Sequence, residues 1–292
     1  MKRIIISGAT GFVGRNLCNF LNQHGYMIDQ LTRSDLRLGD NDLTERVNGA
    51  FAIINLAGAP IIHRWTKAYK EELYTSRIRT TQKLANAIRL ATDKPKVFIS
   101  TSAVGIYKNE THNTERAAQY NSGYLGKICK DWEASALTTL NITRTVIFRL
   151  AVVLGHDGGA LKSMLPIFKL GLGGPVSTGT QGFPWIHIDD LMQAYLFVLE
   201  HTEVEGIFNL TAPEIITNKQ FTVTLASLVK RPAVFTVSRF ALKLVYGQGA
   251  VALTQGAFVE PYRLKEAGYV FLYPKLEDAL RQIVLDMICR NQ

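Results

Sequence analysis

Residues 3–14 read RIIISGATGFVG and join an apolar run to three evenly spaced glycines. The run Arg3–Ser7 predicts a short, fully buried strand, and the glycines follow it as G-x-x-G-x-x-G. In a strand–turn–helix unit the first glycine permits a tight turn, the second lets the backbone approach a pyrophosphate, and the third lets helix and strand pack closely. Free N–H groups and the helix dipole then favour an anion. The alternative is a turn that merely needs glycine.

The position of this turn favours a dinucleotide-binding site, because the turn stands between a buried strand and an amphipathic helix near Met1. The residues predicted to contact the dinucleotide here are Gly8, Thr10, Gly11, Phe12, Val13 and Gly14. We therefore expect a nucleotide-binding fold to begin at the start of the printed sequence.

Apolar runs recur along the chain and alternate with segments of helical spacing. They lie at 27–32, 51–56, 97–101 and 145–150, and the pattern resumes at 185–199 and 206–210. This alternation predicts a doubly wound α/β (Rossmann) fold, with a parallel sheet covered on both faces. The glycine-rich residues 155–184 suit a loop-rich wall around a ligand. We predict a nucleotide-binding domain over residues 1–212 and a smaller, mainly helical lobe over residues 213–292 that covers the cleft.

Composition limits the class of protein. With 292 residues and 47% hydrophobic side chains, the chain can bury a large core. No N-terminal stretch has the pattern of a signal peptide, and no window offers the roughly 18 uncharged apolar residues that a membrane span needs. Three cysteines lie far apart without C-x-x-C spacing, which argues against a disulfide framework or a metal site. We expect a cytoplasmic protein with no membrane partner, and a homodimer is possible.

The formal charge of +9 raises nucleic acid as a partner. Nine Lys or Arg stand against three acids between residues 63 and 96, mostly in one helical stretch. A solvated helix face explains such a stretch, and so does an anionic ligand or acidic partner. Basic and aromatic residues do not alternate there as base-stacking platforms require. A small-molecule substrate is expected instead of nucleic acid.

The end of the second strand decides which dinucleotide is expected. An acid there would pair with the ribose 2′-hydroxyl of NAD, and a basic residue would receive the 2′-phosphate of NADP. The strand ends in Thr32 and Arg33, followed by Ser34, and the guanidinium of arginine matches a phosphate. The rival acid, Asp29, lies mid-strand. NADP, as NADPH, is therefore favoured over NAD.

Small residues follow the third strand at 55–60, and a cofactor could lie flat against them. Leu56, Ala57 and Gly58 are predicted to line it. The motifs N-L-A-G-x-P-I, R-W-T, S-R-x-x-T-T, G-L-G-G-P and W-I-H-I-x-D-L then recur in order, and the tail from 245 to 280 continues the likeness. Over nearly its whole length the chain resembles the epimerase family of atypical short-chain dehydrogenases, relatives of the nucleotide-sugar epimerases.

The resemblance implies a catalytic Ser102 at the end of the fourth strand, with a Tyr and a Lys four residues later on the next helix. That Tyr–Lys pair is not intact, because Tyr124 is followed by Lys127 at i+3. Tyr124 and Lys127 could form a displaced dyad, or Tyr124 could bind substrate or simply pack. If the helix is aligned instead on W-E at 132–133, Leu125 and Cys129 occupy the dyad positions. Tyr107 is a second phenol near Ser102.

Other family segments supply further candidates. Arg77 and Glu72 are predicted to contact the cofactor, with a surface ion pair as the alternative. Val153, after the fifth strand, would lie beside the nicotinamide as its counterparts do in relatives. His187 and Asp189 are interpreted as capping the helix that begins near Asp190, with a catalytic or metal-binding role as the alternative.

The sequence therefore predicts NADP(H)-dependent oxidoreduction or epimerisation of a small polar metabolite, possibly a nucleotide sugar. The altered Tyr–Lys spacing keeps open a second function, an NADP(H)-binding sensor or regulatory protein without turnover.

Overall fold

A computed structural model describes the backbone of residues 1–289 and the side chains as far as Asp286. In chain order the strands are β1 (Arg3–Ser7), β2 (Met27–Leu31), β3 (Ala52–Asn55), β4 (Val97–Ala103), β5 (His112–Asn113), β6 (Arg144–Leu150), β7 (Val152–Leu154), β8 (Trp185–His187), β9 (Gly206–Leu210) and β10 (Phe258–Val259). The helices are α1 (Phe12–Gln23), α2 (Asp40–Val47), α3 (Lys67–Tyr74), α4 (Thr80–Leu90), α5 (Tyr124–Leu137), α6 (Gly159–Lys169), α7 (Ile188–Glu200), α8 (Asn218–Leu228), α9 (Arg239–Tyr246), α10 (Val251–Thr254), α11 (Tyr262–Glu266) and α12 (Leu276–Cys289).

The main sheet has six strands, all parallel, in the order β2-β1-β3-β4-β6-β9. The predicted doubly wound α/β fold is confirmed. The chain moves outward from β1 to β2 and then returns to the other side of β1 to form β3. Ligands of such sheets bind beyond the carboxyl ends of the strands where the order reverses, which here is the crevice between β1 and β3.

The isoleucine run of β1 is buried because helices cover both faces of the sheet. Ile4 and Ile6 pack in the same cluster as Leu17 of α1 and Leu191 of α7. Ile5 points the other way and packs in the cluster that contains Leu84 of α4. Alternate side chains of a strand face opposite sides of the sheet, so a strand that is covered on both sides reads as a continuous apolar run.

A second core is built by segments from both sides of residue 212. Leu161 and Leu165 of α6 and Trp185 of β8 pack with Phe221 of α8 and Leu280 of α12. The predicted boundary therefore does not separate two hydrophobic cores, and the division into 1–212 and 213–292 stays a prediction. The expected loop-rich wall also contains a helix, α6, which forms because Leu161, Leu165 and Phe168 repeat at helical spacing and are buried.

Gly14 lies where α1 crosses the end of β1. A Cβ atom built on Gly14 would stand 2.2 Å from the carbonyl oxygen of Gly8 and 2.7 Å from Cα of Ala9. We expect Gly14→Ala to lower the free energy of unfolding by about 1–3 kcal/mol, because backbone would have to move. Urea denaturation followed by circular dichroism measures this.

Gly105→Ala is the matched control for that substitution, since its Cβ would meet only Leu125, at 3.8 Å. It should change the unfolding free energy by less than about 0.5 kcal/mol. Equal losses in the two variants would show that the α1–β1 approach is not the constraint.

Candidate functional site

The crevice between β1 and β3 is closed at its base by a contact that only glycine permits. Gly8 has φ +73°, in the left-handed region, and a Cβ there would lie 2.7 Å from both C and O of Leu56. Asn55, at the end of β3, is buried and accepts a hydrogen bond from the Ser7 hydroxyl at 2.6 Å. The turn after β1 is thereby held against the exit of β3.

Helix α1 points its uncapped N-terminus into this crevice. The residue before the helix, Gly11, has no side chain to cap it, and the first turn holds no acid. The first N–H groups of a helix have no partner within it, and the helix dipole makes this end positive. The arrangement fits a pyrophosphate, with the N–H groups of Phe12 and Val13 as donors. Thr10 and Gly11 lie exposed at the rim.

The Phe12 side chain has a structural task that the sequence analysis did not foresee. Cβ atoms built on Gly155, Gly158 and Gly159 would lie 2.7, 2.3 and 2.8 Å from its ring. These glycines let the loop after β7 pack directly on the ring. The Phe12 ring therefore joins α1 to the glycine-rich segment.

The end of β2 leaves a basic side chain open to a ligand. Arg33 is exposed, whereas Asp29 pairs with Arg3 at 3.2 Å and with Arg46 at 2.6 Å. The other nearby acid, Asp35, accepts hydrogen bonds from the backbone and hydroxyl of Thr32, both at 2.7 Å, and these bonds lower the pKa of the Asp35 carboxyl. Both acids are therefore occupied by protein donors. The hydroxyls of Thr32 and Ser34 are 2.7 Å apart beside Arg33.

The exit of β3 forms the floor of the crevice. Leu56 and Ala57 are half-buried and Gly58 is exposed, so all three can meet a ligand. Asn55 supports them from below, because its side-chain oxygen accepts from the Ala57 N–H at 3.3 Å and its amide donates to Thr81 at 2.8 Å. An amide at the end of an apolar strand was the signal that could have identified Asn55.

Arg77 lies on a single π-helical turn, residues 75–79, that joins α3 to α4. Its guanidinium donates to the carbonyls of Ala59 at 2.8 Å and Leu73 at 3.3 Å, and it lies 5.4 Å from the Trp132 ring centre. Burial lowers the pKa of Arg77. Among the described residues Arg77 has no carboxylate partner, and Glu72 is exposed and does not pair with it. The alternative of a Glu72–Arg77 ion pair is therefore wrong, and the Arg77 guanidinium packs against Gly58, where a Cβ would lie 3.1 Å from Cζ of Arg77.

Ser102 is buried in a chain of hydrogen bonds. Its hydroxyl donates to Glu133 Oε1 at 2.7 Å, and Glu133 accepts two bonds from Arg149, at 2.8 and 2.7 Å. Arg149 also donates to the Tyr107 hydroxyl at 2.8 Å, which in turn donates to Asn209 at 2.7 Å. All five side chains are buried.

This network restricts what Ser102 can do. The Ser102 proton is held by Glu133, and only 1% of the residue is exposed, so the hydroxyl is not placed to donate to a substrate carbonyl. Burial raises the pKa of Tyr107 to about 12, so this phenol is a weaker acid than an exposed tyrosine. The sequence analysis missed Glu133 and Arg149 as partners. Arg149 could have indicated this network in the sequence, because it is a charged residue within the apolar run of β6.

Tyr124 and Lys127 do not form the displaced dyad. Tyr124 is the first residue of α5, and its hydroxyl donates to the Lys70 carbonyl at 2.7 Å. Lys127 pairs with Asp131 at 3.1 Å on an exposed side of the helix. Burial raises the pKa of Tyr124, and Lys127 does not lower it as the dyad would require. Each member of the expected pair has found a different partner.

The register of α5 explains the missing pair. Cys129 is buried beside Ser102 and Ala103, and burial raises the pKa of its thiol to about 12. Leu125 packs towards Gly105, one turn nearer the start of the helix. Helix α5 therefore presents Leu125 and Cys129 to the end of β4, as in the alignment on Trp132. An apolar side chain and a neutral thiol occupy the positions where the resemblance to short-chain dehydrogenases implies Tyr and Lys.

The strand β7 carries Val153, half-buried, in register with Ile186 of β8. His187 caps α7 as expected, since its Nδ1 accepts from the Asp189 N–H at 3.1 Å and its Nε2 contacts Gln282 at 2.9 Å. Asp189 is half exposed. The acid that anchors the C-terminal segment is Asp190, which accepts from the backbone of residues 272 and 273 at 2.6 and 3.0 Å.

A cleft of about 530 Å³ opens beside the first turn of α5. Tyr124 and Leu125 line one side, Trp65 another, and Arg239 and Lys243 of α9 a third. Two cations, four side-chain amides and no carboxylate line the cleft. Its chemistry suits a polar ligand with negative charge.

The buried Glu133–Arg149 pair generates a stability prediction. Glu133→Gln leaves the Arg149 charge buried without its counter-ion, and we expect the unfolding free energy to fall by about 3–5 kcal/mol. The control Glu71→Gln removes a pair with Arg79 that is mostly exposed, and it should cost less than about 1 kcal/mol. Thermal and urea unfolding compare the two. Losses of similar size would mean that the buried network does not hold β4, α5 and β6 together.

Comparison with known proteins agrees with this architecture. The NAD-dependent epimerase/dehydratase family matches residues 4–211, and a domain of unknown function, DUF1731, matches residues 237–283. The Arabidopsis thaliana protein named epimerase family protein SDR39U1 homolog, chloroplastic, is 36% identical, with 96% of this chain and 86% of that protein covered. The human epimerase family protein SDR39U1 is 35% identical, with 97% and 99% covered.

Solved structures extend the likeness to three dimensions. The crystal structure of human SDR39U1 (isoform 2) with NADPH superposes with a TM-score of 0.91 at 33% identity, over 97% of this chain and 99% of that one. UDP-glucuronic acid 4-epimerase from Bacillus cereus shares the fold, with a TM-score of 0.79 at 18% identity over 99% and 100% of the chains. The resemblance found in the sequence motifs is confirmed, and the chain belongs to the NAD-dependent epimerase/dehydratase family.

Proposed function

We propose that this chain binds NADPH in the crevice between β1 and β3 and uses it in the oxidoreduction or epimerisation of a small polar metabolite. Two observations support the choice of cofactor. Human SDR39U1, 33% identical, was crystallised with NADPH. In this chain the side chain left open at the end of β2 is Arg33, while the neighbouring acids are paired.

The proposal gives each part of the crevice a role. The N-terminus of α1 binds the pyrophosphate, the end of β2 binds the 2′-phosphate, and the exit of β3 supports the dinucleotide. Arg77 adds positive charge at that exit, and Val153 meets the nicotinamide. The residues proposed to bind the cofactor are Gly8, Thr10, Gly11, Phe12, Val13, Gly14, Thr32, Arg33, Ser34, Leu56, Ala57, Gly58, Arg77 and Val153. Glu72 is a weaker candidate because its side chain is exposed and away from Arg77.

The cleft beside α5 is the observation that supports an enzymatic function with turnover of a substrate. Its volume of about 530 Å³ is typical of sites for small ligands, and a protein that only sensed the cofactor would need no second site. Arg239 and Lys243, with no carboxylate on the walls, favour a metabolite with a phosphate or carboxylate group. A nucleotide sugar, which carries a diphosphate, is one member of that class.

The bound cofactor would give a hydride to the substrate as NADPH or accept one from it as NADP⁺, and the residues of the chain bind and orient the reactants. The proton cannot come from a Tyr–Lys pair, since Leu125 and Cys129 stand in those positions. Ser102 fixes the end of β4 through Glu133, which makes it a positioning residue in this proposal. In this proposal the proton comes from water that enters through the open cleft.

Leu125 and Cys129 in place of a Tyr–Lys pair favour a second candidate function, an NADP(H)-binding regulatory protein without turnover. A hydride-transfer assay distinguishes the two. The protein is incubated with NADPH deuterated at C4 and a panel of phosphorylated and carboxylated carbonyl compounds, and mass spectrometry follows the deuterium. Transfer to one compound establishes an enzyme. Tight NADPH binding with no transfer across the panel favours the regulatory protein.

The expected cytoplasmic location and homodimer formation remain predictions. No helix in the described part of the chain is long and apolar enough to cross a bilayer. The cytoplasmic location is untested, and the name of the Arabidopsis relative places that protein in the chloroplast. Homodimer formation is also untested.

Arg33→Asp tests the cofactor preference. Loss of a charge-assisted contact to the 2′-phosphate should weaken NADPH binding by about 10–100-fold, with NADH affinity changed far less. Calorimetry measures both. The control Arg89→Asp makes the same charge change on the exposed face of α4 and should leave both affinities unchanged. Parallel losses for the two cofactors in Arg33→Asp would refute the 2′-phosphate contact.

Tyr124→Phe tests whether this phenol moves a proton. Its hydroxyl is bonded to the Lys70 carbonyl, so we expect turnover within about threefold of the parent, against the ~10²–10⁴ loss that removal of a general acid causes. NADPH affinity should not change. Tyr69→Phe, which removes a similar bond to the Pro60 carbonyl at 2.7 Å, is the control. A hundredfold loss confined to Tyr124→Phe would show that Tyr124 is catalytic.

A further inference from the structure

Helix α9 exposes three of its large apolar side chains to solvent. None of its residues is buried, and Phe240, Leu244 and Val245 are 77%, 68% and 59% exposed. Its cations, Arg239 and Lys243, line the cleft. A surface helix of a globular protein normally does the reverse, with its apolar stripe facing the core. The exposed apolar stripe of α9 therefore indicates a surface that binds a partner.

Two neighbouring segments extend this apolar surface. Val234 and Phe235, just before α9, are 74% and 54% exposed, and Leu170 and Leu172, after α6, are 74% and 54% exposed. The segments lie side by side, because Arg231 donates to the Lys169 carbonyl at 3.0 Å and the Ser177 N–H donates to the Val237 carbonyl at 2.9 Å. We call this surface the apolar ridge, and its members are Leu170, Leu172, Val234, Phe235, Phe240, Leu244 and Val245.

In the two sequence segments that carry the apolar ridge, every charged residue is Lys or Arg. Residues 158–188 contain two Lys and no Asp or Glu, and residues 215–259 contain five Lys or Arg and again no acid. The partner must therefore offer negative charge together with apolar surface. A second copy of the chain does not, since a twofold contact would place the same cations against each other. Charge complementarity favours an anionic partner.

We propose that the apolar ridge docks this protein on the surface of an anionic phospholipid bilayer. The ridge projects side chains from one short helix and two loops, and a fluid bilayer receives such projections without a matching groove. Apolar side chains enter the boundary between headgroups and acyl chains, and the exposed Lys169, Lys230 and Arg231 beside the ridge bind the anionic headgroups. The sequence-based expectation of no membrane partner rested on the absence of a spanning segment, and surface docking needs none.

Sedimentation of the full chain with vesicles tests the proposal. The vesicles are phosphatidylcholine alone, or phosphatidylcholine with phosphatidylglycerol, each at low and high salt. We expect at least tenfold stronger partition to the anionic vesicles, reduced at high salt because the headgroup contacts are screened. Equal partition to both vesicles, or none to either, would overturn the proposal.

Phe240→Ser/Leu244→Ser locates the contact. Both side chains are exposed, so the variant should keep its fold and its NADPH affinity while partition to anionic vesicles falls at least tenfold. The control Val270→Ser/Leu272→Ser removes two exposed apolar side chains, 81% and 57% exposed, outside the ridge and should bind vesicles like the parent. Parent-like partition in the ridge variant would contradict the proposal. So would a parent that ignores vesicles but forms a dimer or captures an acidic protein through the same residues.

Discussion

The approach of Gly8 to the peptide group of Leu56 is the constraint on which the site depends. No side chain fits between them, and the φ of +73° at Gly8 favours glycine on its own account. The Ser7–Asn55 hydrogen bond fixes the same two strand ends from inside the sheet. Together they set the width of the crevice and aim the uncapped end of α1 into it. The shape of the proposed cofactor crevice thus follows from the packing of the backbone at the ends of β1 and β3.

The buried network of Ser102, Glu133 and Arg149 sets the chemistry on the other side of the crevice. In the family pattern this region supplies a proton through Tyr and Lys, whereas here α5 supplies Leu125, a neutral thiol at Cys129 and a carboxylate that binds Arg149. The ion pair is deeply buried, and such pairs are costly to break one partner at a time. The network therefore links β4, α5 and β6, and in the proposed function the reactants would meet in the cleft beside α5.

The strands and the glycine turn could be predicted because their signals are local. A buried isoleucine run and a spacing of three glycines need no knowledge of the rest of the fold. Helix α6 was missed, since the surrounding glycines hid the spacing of Leu161, Leu165 and Phe168. The Glu133–Arg149 pair joins a helix to a strand sixteen residues later, and no local pattern specifies it. Tyr124 and Lys127 share a helix face, but a carbonyl and Asp131 proved the better partners.

A crystal structure of the NADPH complex tests the central claim most directly. The claim is that the chain has a complete cofactor crevice while its Ser102 hydroxyl is buried and bonded to Glu133. We expect the pyrophosphate at the N–H groups of Phe12 and Val13, the 2′-phosphate at Arg33, and the Ser102 hydroxyl still bonded to Glu133. A structure in which Ser102 turns away from Glu133 towards the nicotinamide, or in which the dinucleotide lies outside the β1–β3 crevice, would contradict it.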